Sequence, residues 1–156
     1  MKKPALRWLR TVLSPTFWGR ALPLFVSLLS GTHGYAQELN VMVNESVMIN
    51  ELNRSELRQI FTGHRQYWSD GSKITVFVLN DNHELHKQFC RDVLQMFPYQ
   101  LSRLWDQITY SGQGVTPIRV DSNQALAEAL INTEGAIGYL QSAETPRLRR
   151  VEVGEL

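Results

Sequence analysis

The stretch Gly135-Ala136-Ile137-Gly138-Tyr139-Leu140 is the most informative part of this 156-residue chain. It sets an apolar, strand-like run beside two glycines, a pairing that few folds require. A short apolar run of this kind, bounded by turn residues, is typical of a buried strand. We therefore predict that Ala136 to Leu140 form a buried strand of a sheet.

Strand-like and helix-like patterns alternate outward from this stretch. Further extended segments are predicted at Leu39 to Val43, Val47 to Ile49, Ile74 to Leu79, Ile118 to Val120 and Leu148 to Val153. Helices are predicted from a capping Asn53 to Gly63, from Asp81 or Asn82 to Pro98, over Leu101 to Ile108 and over Ser122 to Ile131. Interleaving of this kind indicates an α/β fold with a mixed or mainly parallel sheet. We expect three layers, with Phe89, Val93 and Leu126 packed over the sheet.

The helix predicted to end at Pro98 carries the only cysteine of the chain. Its apolar face is predicted to include Phe89, Val93 and Phe97, and Cys90 lies in the same run. A single cysteine cannot form an intramolecular disulfide, and cysteine in such a run is most simply a small buried hydrophobe. The role of Cys90 otherwise stays open.

The first 36 residues have the order of a secretory signal peptide. Five basic residues and no acidic residue accompany an apolar core at Ala21 to Leu29, and Gly34-Tyr35-Ala36 then places small residues at the cleavage-recognition positions. We expect cleavage after Ala36, a periplasmic location and one mature domain over residues 37–156. An uncleaved anchor is the alternative, although the apolar core is shorter than the ~20 residues that cross a bilayer.

Charge argues against two classes of partner. Because five of the 16 basic residues lie in the leader, residues 37–156 carry 11 basic and 15 acidic residues, a net charge of 11 − 15 = −4. A nucleic-acid or anionic-membrane partner would require a clustered basic face. We therefore expect neither partner.

Three further motifs point to one family. These are Leu57-Arg58-Gln59-Ile60-Phe61-Thr62-Gly63 with Trp68 and Gly71, then Trp105, and then Ser111-Gly112-Gln113-Gly114 with Pro117. Together with the glycine-bearing strand, they resemble the phosphate-type periplasmic binding proteins, the substrate-binding proteins of phosphate ABC transporters. The resemblance covers about one lobe of that two-lobed family. It implies a single periplasmic-binding-protein-like lobe and phosphate or another oxyanion as a ligand.

The turn after Ile74 to Leu79 is the first candidate site. In an α/β lobe, helix starts stand beside strand ends, and their free N–H groups attract anions. Asn80, Asn82 and His83 are therefore candidate anion-binding residues.

The same turn departs from the family pattern. In the phosphate-binding family that this chain resembles, the corresponding turn carries an arginine followed by Ser-Gly-Thr. In this chain the triplet positions hold His83, Glu84 and Leu85. The hydroxyls and the glycine are missing, while Asp81 and Glu84 add negative charge. A structural helix cap is the alternative for this turn.

The remaining candidates are weaker. Ser111 and Gly112 resemble the glycine loop of the family and are candidate anion-binding residues, although such a loop is more often a turn. His83 and His86 with Asp81 have a spacing that suits a metal, but we favour surface positions. No metal site, cofactor or catalytic arrangement is expected, so we predict that the protein is not an enzyme.

Two functions from different classes stay open. One is capture of phosphate or another oxyanion by a single lobe or between two copies of it. The other is a non-catalytic adaptor or sensor lobe that docks on a membrane receptor or transporter without a small ligand. The lost triplet and the absent second lobe favour the adaptor, while the resemblance favours solute capture. The oligomeric state is not predicted.

Overall fold

The computed structural model describes residues 38–112, 114–141 and 145–154, so the predicted leader and cleavage site lie outside the described residues. The strands are β1 (Leu39–Asn44), β2 (Glu51–Asn53), β3 (Thr75–Leu79), β4 (Ile118–Val120), β5 (Ala136–Gln141) and β6 (Leu148–Gly154). The α-helices are α1 (Arg54–Phe61), α2 (Glu84–Gln88), α3 (Pro98–Ser111) and α4 (Asn123–Asn132), and a π-helical segment, Phe89–Leu94, continues α2. None of the described helices is long and apolar enough to cross a membrane.

The six strands of the described ranges form one sheet in the order β2-β6-β1-β5-β3-β4. Strand β5 is antiparallel to β1 and parallel to β3, and β4 is parallel to β3. On the other side, β6 is antiparallel to β1 and parallel to β2. The sheet is therefore mixed, which confirms the predicted α/β fold class.

Strand β5 shows how the layers are arranged, because neighbouring residues of a strand point to opposite faces. Leu130 of α4 lies over Gly138, where an added Cβ would stand 3.1 Å from the leucine Cδ2. On the opposite face, Tyr139 stacks on Phe89 with ring centroids 4.0 Å apart, and Phe61 of α1 lies 6.3 Å away. Helices cover both faces, so the predicted three layers are observed.

The two glycines of the opening stretch have separate structural reasons. Gly135 has φ +70°, and an added Cβ there would overlap the backbone oxygen of Lys73. The Gly135 carbonyl oxygen accepts hydrogen bonds from Trp68 Nε1 at 3.0 Å and from Thr75 N at 3.2 Å. Gly138 lets α4 approach the sheet, so both positions exclude larger side chains.

The predicted cap of α1 is confirmed. The Asn53 side chain accepts a hydrogen bond from Glu56 N at 2.9 Å, and Asn53 N donates to Glu56 Oε2 at 3.1 Å. This reciprocal pair satisfies two backbone donors at the helix start. Leu57 and Ile60 are buried behind it, as the sequence predicts.

The predicted end of the second helix is wrong. The chain leaves the π-helical segment at Gln95, which has the left-handed φ of 51°. Pro98 begins α3 instead of ending the earlier helix, because its fixed φ and missing N–H suit a first helical turn. Phe97 precedes α3 and is 62% exposed, whereas Phe89 is fully buried and Val93 partly buried.

Two further boundaries differ from the prediction. Val47 to Ile49 are not in a strand, because the parallel pairing of β2 with β6 begins only at Glu51. Ser111 is the last residue of α3, and Gly112 ends that helix with a left-handed φ of 65°. Ser111 and Gly112 therefore form the end of α3 rather than a separate loop.

Candidate functional site

The carboxyl ends of the parallel strands β3 and β4 meet at one edge of the sheet, the usual ligand edge of an α/β fold. Asn80 follows β3, and Asp121 follows β4. Asn80 Nδ2 donates to Asp121 Oδ1 at 2.8 Å. The amide of this predicted site residue therefore joins the two strand ends.

Asp81 is the central charge of this edge. Its Oδ2 accepts a hydrogen bond from Ser102 Oγ of α3 at 2.7 Å, and its Oδ1 lies 3.6 Å from Arg119 Nε. Among the described residues, Oδ1 of Asp81 is one of two buried side-chain oxygens that accept no hydrogen bond. The attraction of Arg119 offsets the cost of keeping that oxygen charged.

Arg119 is held from two sides. Its guanidinium carbon stands 5.1 Å from the centre of the Trp105 ring, within cation–π range, while Asp81 pairs with it. Trp105 is itself fixed, since its Nε1 donates to the Phe61 carbonyl oxygen at 2.7 Å. The Arg119 side chain is 42% exposed, so one side of the cation faces solvent.

His83 is the N-cap of α2, and its ring nitrogen Nδ1 accepts a hydrogen bond from Leu85 N at 3.2 Å. The prediction that Asp81 or Asn82 caps this helix is wrong, because Asp81 is turned toward α3 and Asn82 is exposed. Glu84 stands beside the cap, and a hydrogen bond from Lys87 at 2.8 Å holds the pKa of Glu84 below its usual value. The helix start therefore carries a cap and a carboxylate.

The structure places Ser111 and Gly112 apart from this turn. Ser111 Oγ donates to the Ile108 carbonyl oxygen at 3.2 Å, at the carboxyl end of α3. Ser102, which meets Asp81, is nine residues earlier, about 13 Å along the helix axis. The five predicted anion-binding residues thus form two separate groups, and their binding role stays a prediction.

A buried polar cluster lies beneath the edge. The Tyr139 hydroxyl accepts a hydrogen bond from Leu79 N at 3.0 Å and lies 2.5 Å from His86 Nδ1, and His86 Nε2 lies 3.4 Å from Cys90 Sγ. The expectation that His86 is a surface residue is wrong, since its side chain is fully buried. Cys90 is buried as predicted. The four-residue spacing of His86 and Cys90 on one helical face is the signal that sequence reasoning missed.

Burial keeps this cluster uncharged at neutral pH. It lowers the pKa of His86 to about 4 and raises the pKa of Cys90 to about 12. Burial also raises the pKa of Tyr139. We assign the Tyr139 hydroxyl as the hydrogen-bond donor and His86 Nδ1 as the acceptor. His86 Nε2 then carries the imidazole proton and points it toward Cys90 and Asp81. The cluster packs α2 against the sheet and supplies no thiolate.

A sequence profile of the PBP superfamily domain matches residues 36–154 of the chain. Among curated proteins, none matches it in sequence. An ABC-type phosphate transport receptor from Vibrio cholerae has a similar fold, with 15% identity and a TM-score of 0.57 over 74% of this chain and 46% of that one.

Two other solved structures are similar to the same extent. A putative phosphate ABC transporter substrate-binding protein with bound phosphate, from Clostridium perfringens, has 17% identity and a TM-score of 0.59 over 74% of this chain and 44% of that one. PstS from Borrelia burgdorferi has 18% identity and a TM-score of 0.53, and the comparison covers 74% of this chain and 47% of PstS. The chain thus spans less than half the length of these proteins, and at such identities the likeness shows the fold alone.

Proposed function

Because this chain belongs to the PBP superfamily, we propose that it is a non-catalytic binding lobe, and that it docks on a protein rather than capturing a solute. Its resemblance to the substrate-binding proteins of phosphate ABC transporters is confirmed. The proposal rests on one observation about the turn that follows β3, here called the strand-end turn (residues 80–83). Three of its four side chains already form hydrogen bonds within the protein. Asn80 is bonded to Asp121, Asp81 to Ser102, and His83 to its own helix.

An anion would find this turn electrostatically unfavourable. Asp81 and Asp121 both present carboxylates at the strand ends, and Glu84 adds another beside the helix cap. Each carboxylate repels an incoming anion, and solvent partly screens this repulsion because the Asp81 and Glu84 side chains are 40% and 88% exposed. Arg119 already pairs with Asp81, so its attraction for an incoming anion is partly used.

The docking target that we propose is a membrane transporter or receptor. The solved structures of similar fold are described as an ABC-type phosphate transport receptor and as a substrate-binding protein of a phosphate ABC transporter. A partner of that kind is consistent with the periplasmic location that we propose from the leader sequence. The buried, neutral His86 and Cys90 supply no nucleophile, and this supports a role in binding alone.

Capture of phosphate or another oxyanion is the second candidate. One observation favours it, namely that the Arg119 side chain is 42% exposed at the strand-end edge. The similar protein from Clostridium perfringens contains bound phosphate, but the chain matches only 44% of that protein. Capture by this lobe would therefore rely chiefly on Arg119, because the backbone N–H groups of His83 and Leu85 already donate to the Asn80 carbonyl oxygen and to His83 Nδ1.

Isothermal titration with phosphate separates the two functions. Protein purified from cells that express the full 156-residue chain should give no binding heat at millimolar phosphate. Micromolar affinity that is unchanged by Glu84→Gln would overturn the docking proposal and establish solute capture. If a weak site does persist, Glu84→Gln should strengthen it, because the substitution removes a carboxylate beside the anion.

A further inference from the structure

Two open cavities flank the first half of α3. One lies between α1 and α3 and has a volume of about 950 Å³. The other lies between α3 and the α2 side of the fold and has a volume of about 670 Å³. Tyr99 and Arg103 line both, one helical turn apart, so they form a ridge between the cavities.

The α1–α3 cavity is cationic. Arg58 and Arg103 line it, and its lining contains no acidic residue. Among the described residues, no carboxylate lies within ion-pair distance of either arginine. Arg58 is held in place because its Nε donates to the Leu94 carbonyl oxygen at 2.6 Å. An occupant with negative charge therefore meets two arginines that no carboxylate of the described ranges neutralises.

Exposed aromatic rings lie at and beside the ridge. Phe97 and Tyr99 are 62% and 60% exposed, and their rings stack with centroids 5.7 Å apart. Aromatic and arginine side chains are the residue types that dominate protein–protein hot spots. The shape suits a polypeptide better than one small ligand, since each cavity alone has the volume of a small-molecule site and the ridge separates them.

We propose that Arg58, Phe97, Tyr99 and Arg103 form the α3 docking surface, which binds an acidic segment of a partner protein with an apolar side chain beside its carboxylates. The carboxylates would pair with the two arginines, and the apolar side chain would pack on the stacked rings. The proposal rests on the proposed function, because it names the surface and partner chemistry of the same docking event. The net charge of −4 over residues 37–156 excludes a general attraction for acidic chains, so binding depends on this local surface.

Peptide titration followed by NMR tests the surface. The ¹⁵N-labelled protein from full-chain expression is titrated with the acetylated, amidated hexapeptide Glu-Glu-Phe-Leu-Glu-Glu and with its analogue carrying lysine for glutamate. Only the acidic peptide should shift resonances, and the shifts should centre on Tyr99 and Arg103. Tyr99→Ala should weaken binding at least tenfold, whereas Tyr110→Ala, at the 90% exposed far end of α3, should leave it unchanged.

Charge reversal provides the sharper comparison. Arg103→Glu should abolish acidic-peptide binding and allow the lysine peptide to bind, while unchanged resonances elsewhere show that the variant is folded. Absence of acidic-peptide binding at millimolar concentration, equal binding of both peptides, or closure of the surface by a second copy of the chain would overturn the proposal. A separate titration with phosphate and no peptide reports on the proposed function, since micromolar phosphate binding would contradict that function whatever the peptide does.

Discussion

The Tyr139 hydroxyl lies 2.5 Å from His86 Nδ1, and both side chains are closed off from solvent. The same hydroxyl accepts the backbone N–H of Leu79, so one phenol joins β5, β3 and α2. Hydrogen bonds in a buried network strengthen one another, and an unpaired member is costly. This contact fixes α2 directly beneath the strand-end edge.

The buried imidazole makes the protein sensitive to acid. Burial lowers the pKa of His86 from 6.5 to about 4 in the folded state. Between these pH values the unfolded chain binds a proton on this group and the folded chain does not, so the free energy of unfolding falls as the pH is lowered through that window. We expect a loss on the order of 3 kcal/mol from this group, measured by urea denaturation between pH 7 and pH 4.

Two histidine variants control this measurement. His86→Gln should remove this part of the pH dependence, because glutamine does not titrate. His83→Gln, one helical turn earlier at the α2 cap, should keep it. If the free energy of unfolding of His86→Gln depended on pH as strongly as that of the unsubstituted protein, this part of the pH dependence would not come from His86.

Phe89 and Phe97 test the packing of the π-helical segment and the chain that follows it. Phe89 stacks on Tyr139 and is fully buried, so Phe89→Ala should lower the free energy of unfolding by ~3–5 kcal/mol. Phe97 is 62% exposed, and Phe97→Ala should cost less than ~1 kcal/mol. Chemical denaturation measures both. A loss below ~1 kcal/mol for Phe89→Ala would show that this residue is not in the core.

Gly135 and Gly71 separate steric overlap from backbone strain. Both have positive φ, +70° and +85°, so alanine at either costs ~1–2 kcal/mol in strain. An added Cβ at Gly135 also overlaps the Lys73 carbonyl oxygen, while at Gly71 nothing lies within 4 Å. Gly135→Ala should therefore lose a further ~1–3 kcal/mol relative to Gly71→Ala in urea denaturation. Equal losses for Gly135→Ala and Gly71→Ala would contradict the close approach of Gly135 to the Lys73 carbonyl oxygen.

Asp81→Asn tests the proposal that carboxylates keep anions away from the strand-end turn. The substitution keeps a hydrogen-bond acceptor for Ser102 but removes the charge that pairs with Arg119. Phosphate binding should become measurable by isothermal titration, because Arg119 is released and a repulsive carboxylate is lost. Asp92→Asn makes the same charge change beside Arg91 and should have no effect. Identical phosphate behaviour of the two variants would count against this explanation.

The sequence predicted most of the fold because the informative signals are local. The α1 cap depends on two residues three positions apart, and the buried β5 run shows its apolar pattern directly. The sequence does not decide the role of Pro98, because proline both ends helices and begins them, and only the left-handed turn at Gln95 shows that Pro98 begins α3. The site was harder to predict, since the partners of Asp81, namely Ser102 and Arg119, come from α3 and β4. Long-range contacts of this kind leave no spacing in the sequence.

Photo-cross-linking in living cells tests the central claim, docking on a membrane partner through α3, most directly. A benzophenone amino acid is placed at position 99 of the full chain, and a control chain carries it at position 110, where Tyr110 is 90% exposed on the same helix. Docking through α3 predicts a discrete adduct with a membrane transporter or receptor from position 99 and none from position 110. No protein adduct from position 99, or equal adducts from both positions, would contradict it.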